Sequence, residues 1–134
     1  MPYFGQEIFE LAQATGTLSD PAYLKARHDA TTIARRAINR TLNGKHLSAI
    51  IAPTNSPAWK TDLNTGDSFS LGSSSPSAIA GYPSVTVPAG YAEGLPVGMS
   101  WIGRKWSEPR LISLAYAWER ATHVRRAPTF RATS

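Results

Sequence analysis

Apolar positions recur along this chain with two different periods, and the change of period organises it. From Gln6 to Ala14, Ile8, Leu11 and Ala12 share one helical face with Phe9 beside them, and Gly16 supplies a stop. Ser19-Asp20-Pro21 then predicts a helix start: a capping side chain, followed by a proline whose missing N–H costs nothing in the first turn. Behind it Leu24, Ala30, Ala34, Ile38 and Leu42 repeat at helical intervals, while Arg35, Arg36, Asn39 and Arg40 take the other sides. Asn43-Gly44 predicts the end through the left-handed turn that glycine accepts, giving a helix of about 22 residues.

The second half changes to short apolar runs. Residues 48–52, closed by Pro53, predict a buried strand. Thr54 to Ser75 is rich in Asn, Ser, Thr, Gly and Asp, with Trp59 and Phe69 as anchors, and predicts a long ordered loop of the kind that carries function. Ser75 to Gly81 predicts a short capped helix stopped by its glycine. Strands follow at 84–87, ended by Pro88, and at 97–102, with Val97, Met99 and Trp101 on one face; they are expected to pair as a hairpin or as neighbours. Ser107 is expected to cap a last helix that lines up Leu111, Ala115, Trp118 and Thr122, with Arg125 and Arg126 near its C-terminal dipole. Helices and strands in this order predict an α/β or mixed α+β fold, with strands flanked by helices, in one unit over residues 1–134.

Composition narrows the chemistry. The 42% hydrophobic and 17% charged content is that of a globular chain, and a complete domain of 134 residues buries roughly two-thirds of its unfolded surface. The absence of cysteine removes disulfides, thiolate zinc sites and a thiol nucleophile. No apolar run approaches the ~20 residues of a membrane span and no signal pattern stands at the N-terminus, so a cytoplasmic, non-membrane setting is expected. The fourteen Lys and Arg behind the net charge of +5 fall mainly in two groups, Lys25, Arg27, Arg35, Arg36, Arg40 and Lys45, and seven between Arg104 and Arg131. Neither group is a compact basic run interleaved with aromatics, so a solvated face is the simpler account and a basic nucleic-acid binder is the third-ranked function.

The expected metal site is none, because His28, His46 and His123 are far apart and none has a partner at helical spacing. Glu7 and Glu10 read as a solvated pair on a short helix, and no Gly-rich phosphate loop is present, so no cofactor is expected. The remaining cluster is Leu71-Gly72-Ser73-Ser74-Ser75-Pro76-Ser77. Its serines read either as local helix caps, the simpler account, or as a nucleophile or anion site. A serine nucleophile needs a base, and Lys25, Lys45, Lys60 and Lys105 all lie off the apolar strands that would lower their pKa.

The run from Ser73 through Gly81-Tyr82-Pro83-Ser84-Val85-Thr86-Val87-Pro88-Ala89-Gly90 resembles the C-terminal part of amidase-signature enzymes. The continuation Gly94-Leu95-Pro96-Val97-Gly98-Met99-Ser100-Trp101-Ile102-Gly103, then Trp106-Ser107-Glu108 and a Leu- and Ala-rich last helix, is similar as well. Met1 to Glu7, the long helix and Ala52-Pro53-Thr54-Asn55 look like the preceding section of the same family. The resemblance implies a parent that hydrolyses amides, or feeds ammonia to a ligase, with a Ser, a second Ser in a cis peptide and a Lys near a Gly-Gly-Ser-Ser-Gly-Gly signature. This chain lacks that signature, so its expected catalytic residues are none, and Gly72-Ser73-Ser74-Ser75-Pro76 resembles it only superficially.

The resemblance further implies that Thr54, Asn55, Trp59, Ser73 and Ser74 border the substrate cleft. The leading expectation is therefore an inactive C-terminal fragment of an amidase. It would supply part of a mixed sheet, the last helix and one cleft wall, and its parent would cleave a small-molecule amide. Its partner is either the missing N-terminal amidase portion or a second copy in a homo-oligomer, since cut strands leave open edges. The alternative is a non-enzymatic structural or interaction module derived from an amidase. As the closing piece of a larger domain, the chain would bury less than the two-thirds borrowed from complete domains.

Overall fold

The computed structural model describes residues 5–129. Met1 to Phe4 and Arg131, which entered the resemblance and the basic group, lie outside them. The elements follow in the order α1 (Glu7–Gln13), α2 (Pro21–Gly44), β1 (Ile50–Pro53), α3 (Ser75–Ala80), β2 (Ser84–Ala92), β3 (Leu95–Ile102) and α4 (Glu108–Thr122).

Helix α2 starts as its sequence dictates. The Asp20 carboxylate accepts from Ala22 N–H at 2.7 Å and Tyr23 N–H at 3.4 Å, and Pro21 occupies the first turn. Its end differs from expectation, because Gly44 stays helical and the positive φ of 50° falls on His46. The serine caps also differ. Neither Ser74 before α3 nor Ser107 before α4 makes a side-chain cap; Ser107 Oγ instead donates back to Arg104 O at 2.7 Å. Gly81 does end α3 in the left-handed conformation, at φ 66°.

The sheet has three strands in the order β1-β3-β2, and both pairings are antiparallel. Strand β1 begins at Ile50, two residues later than predicted, and includes Pro53. Strand β2 likewise runs through Pro88 to Ala92. Both prolines are tolerated because β1 and β2 are edge strands. Thr54 N–H points inward to Gly98 O at 2.8 Å, so the nitrogen of Pro53 faces outward. Pro88 O accepts Trp118 Nε1 at 3.0 Å, away from the ladder, and the register shifts between Pro88 and Gly90. Glu93 (φ 52°) and Gly94 (φ 81°) close the β2–β3 hairpin in the paired left-handed conformations of a two-residue turn.

Helices cover both faces of the sheet near the Ile102 end of β3. On one face Ile38 and Leu42 of α2 and Ala80 of α3 pack with Ile102 and Ile50. On the other, Trp101 meets Trp118 of α4 edge-on at 6.3 Å, and Leu111 is fully buried against Gly103, where a Cβ would come within 3.1 Å of it. Arg35 departs from a purely solvated role: its Nε donates to Ala80 O at 2.8 Å and fastens α3 to α2. Strand β1 alternates half-buried and exposed residues, with Ile51 57% exposed, so it is not the buried strand its composition predicted.

Burial is sparse for the chain length. The surface measures 10739 Å². A complete folded monomer of this size exposes about 6,900 Å², and the unfolded chain about 21,000 Å², so close to half is buried instead of two-thirds. Ile8, Phe9 and Leu11, predicted as an apolar face, are all exposed, as are Ile33, Leu63, Ile79, Ile112 and Tyr116. These are faces with nothing packed on them within the described residues.

Candidate functional site

Farther along the strands, on the sheet face that holds Ile102, the helices give way to an open cleft of about 670 Å³. Its floor is the row Thr54, directly after β1, Gly98 of β3 and Thr86 of β2. Alternation puts these residues on the same face as Ser100, whose side chain is buried at 4% exposure. Ser100 Oγ lies 2.9 Å from Thr54 Oγ1 and 3.0 Å from Thr86 Oγ1, which makes a three-hydroxyl row across all three strands. Gly98 gives the row its room, since a Cβ there would stand 2.9 Å from Thr54 Oγ1 and 3.0 Å from Thr86 Cγ2.

The wall is the long loop. An Asx turn closes it locally: the Asp62 carboxylate accepts from Asn64 and Thr65 N–H, and Asp62 and Gly66 exchange backbone hydrogen bonds. These bonds hold the Asp62 carboxyl below its ordinary pKa, Asn64 contributing most. The Trp59 and Phe69 rings meet edge-on with centroids 5.8 Å apart, so the two predicted anchors hold one another. Trp59 Nε1 and Thr61 Oγ1 both donate to Asp67 Oδ1, at 3.0 and 2.8 Å. That pair lowers the pKa of Asp67, the indole most strongly.

Three of the five residues expected to border a substrate cleft, Thr54, Asn55 and Trp59, line this one hollow together. Ser73 is tied to the back of Thr54 by its N–H to Thr54 O at 3.1 Å, while Ser74 precedes α3 and is not part of the lining. Thr61, Asp67, Thr86 and Gly98 were missed. The only sequence signal for Asp67 was its place after a turn glycine, eight residues from Trp59. None of the four lysines lines the cleft, and Lys25 pairs instead with Asp29. Among the described residues no group of three His, Asp or Glu could hold a metal, and no helix is long and apolar enough to cross a membrane.

On the opposite sheet face an apolar groove of about 680 Å³ runs over Ile51, Pro53, Pro57, Leu71, Val97 and Met99. Both hollows therefore sit where the small sheet is left uncovered.

Comparison with known proteins accounts for this half-covered architecture. The family model described as Amidase matches residues 4–112. An Arabidopsis thaliana protein named "Probable amidase" is 36% identical over 128 residues, covering 95% of this chain and 22% of that protein. A glutamyl-tRNA(Gln) amidotransferase subunit from Clostridium novyi is 34% identical over 128 residues, covering 89% of this chain and 26% of that protein. The X-ray structure of the native peptide amidase from Stenotrophomonas maltophilia superposes with a TM-score of 0.85 at 46% identity, covering 96% of this chain and 26% of that one. The chain thus spans about a quarter of the length of the relatives it matches. Its hairpin, its flanking helices and its uncovered sheet faces are those of a portion of a larger fold, and the chain belongs to the amidase-signature family.

Proposed function

We propose that this chain is the C-terminal part of an amidase domain whose complete protein cleaves a carboxamide C–N bond by acyl transfer to serine. The chain itself is catalytically silent. It supplies the hairpin, the last helix and one wall of the substrate cleft, with Thr54, Asn55 and Trp59 facing the substrate, Ser73 backing Thr54, and Ser74 next to it at the start of α3. The observation that carries this role is the convergence of Thr54, Asn55 and Trp59 on one open cleft that no lysine lines. A nucleophilic serine without a base in reach stays a weak nucleophile. The rest of the domain covers the exposed apolar faces, and in its absence the chain self-associates as a homo-oligomer through them and through its open sheet edges.

Kinetics of the full-length protein test the cleft. Asn55→Ala and Trp59→Ala raise KM for a simple aryl amide while the circular dichroism spectrum is retained. Unchanged KM in both variants overturns the assignment.

A further inference from the structure

We infer that Asp67 makes this cleft a cation subsite, which selects amides carrying a guanidinium or ammonium group; the inference rests on the substrate-cleft reading above. Among the described residues Asp67 is the one charged group that lines the cleft. Both of its donors, Trp59 Nε1 and Thr61 Oγ1, land on Oδ1, which leaves the lone pairs of Oδ2 for a ligand. The single ion pair among the described residues joins Lys25 to Asp29, so none of their cations neutralises Asp67 despite the net charge of +5. The two hydrogen bonds, that from Trp59 most strongly, lower the carboxyl further below its ordinary 3.8.

The surroundings fit the same class of ligand. The Trp59 ring is held by Phe69 on one side and by Asp67 at its nitrogen, so its position is fixed before anything binds. An indole beside a carboxylate suits a guanidinium, which stacks on the ring while it hydrogen-bonds the oxygen. The floor adds a second element. Ser100 has one proton to give, so at least one threonine donates to it and presents its lone pairs to the cleft. Those lone pairs suit the N–H of a carboxamide, while the charged wall takes the cationic arm.

Two matched ligand pairs test this in the full-length protein. Butylguanidine and butylurea are similar in shape, differ in charge and contain no carboxamide; their binding is read by calorimetry. N-acetyl-L-argininamide and N-acetyl-L-citrullinamide differ in the same way and are read by kcat/KM. The wild type is expected to favour the cationic member about fivefold in each pair, the scale of a well-placed solvent-accessible ion pair, and less at high salt. Asp67→Asn keeps an acceptor for Trp59 and Thr61 and is expected to bring both ratios to about one. Thr61→Val loosens the loop but keeps the charge, and retains the preference. Equal binding of the first pair, no binding of either member, or a preference that survives Asp67→Asn overturns the inference. A binding preference without turnover of either amide leaves the cation subsite standing and overturns the amidase activity proposed for the complete protein.

Discussion

Replacing Gly98 with alanine puts one methyl group where the central strand passes between two threonines. The new Cβ would stand 2.9 Å from Thr54 Oγ1, 3.2 Å from Thr54 Cβ and 3.0 Å from Thr86 Cγ2. Both neighbours are β-branched and stiff at χ1, so neither swings aside without leaving its rotamer. Relief requires breaking a Ser100 hydroxyl contact or lengthening the 2.8 Å bond from Thr54 N–H to Gly98 O. Overpacking costs about 1–3 kcal/mol and a lost hydrogen bond about 1 kcal/mol. Against this, alanine restricts the unfolded chain and returns about 0.4–1 kcal/mol. The steric term wins, with a net loss of about 2 kcal/mol, or roughly 7 °C in Tm for a chain of this length. Gly44→Ala is the control: it sits in the last turn of α2 with nothing within 4 Å of a Cβ, and is expected to stabilise by about 0.5–1 kcal/mol. Urea unfolding followed by tryptophan fluorescence reads both variants. A Gly98→Ala midpoint at or above wild type, matching the Gly44→Ala direction, would refute the account of a tightly built cleft floor.

Other consequences are open to direct measurement. Leu111→Ala removes a fully buried side chain that joins α4 to the sheet and is expected to cost about 2–5 kcal/mol; a change under about 0.5 kcal/mol in urea unfolding contradicts that packing. The carboxyl of Asp67 is depressed below its ordinary 3.8, so its contribution is present above that pH and lost as the pH falls through the folded value. The Trp59 indole N–H resonance should therefore move at a midpoint below 3.8, and a midpoint above it contradicts the hydrogen-bonded carboxylate. In analytical ultracentrifugation the separate chain should self-associate as its concentration rises, because among the described residues β1 and β2 each keep one unpaired edge; a clean monomer at high concentration counts against this.

Local rules made some elements legible and concealed others. The start of α2 was readable because Asp20-Pro21 is a capping signal whose physics is complete within four residues. The pairing of β2 with β3 was readable from two short apolar runs, although its turn at Glu93-Gly94 lay inside the longer loop expected between 87 and 97. Strand ends were misread at Pro53 and Pro88, since proline forbids a ladder bond only on the side that faces a partner, and sequence does not reveal which side that is. Serine caps were expected at Ser75, ahead of Pro76, and at Ser107, yet the cap positions Ser74 and Ser107 make no side-chain cap bond. The hydroxyl row could not be seen in advance: Thr54 and Thr86 lie 46 and 14 residues from Ser100, and only strand register joins them. Asp67 was hidden for a related reason, because one acidic residue in a polar loop acquires meaning only when Trp59 and Thr61 turn toward it.

The central claim is that this chain carries part of an amide-binding cleft but not the chemistry that works there. Hydrolysis of simple aryl and aliphatic amides, measured with the purified 134-residue chain beside the full-length protein, tests it most directly. Turnover is predicted for the full-length protein and none for the chain alone. Turnover by the chain alone, abolished by Ser73→Ala or Ser74→Ala, would contradict the account.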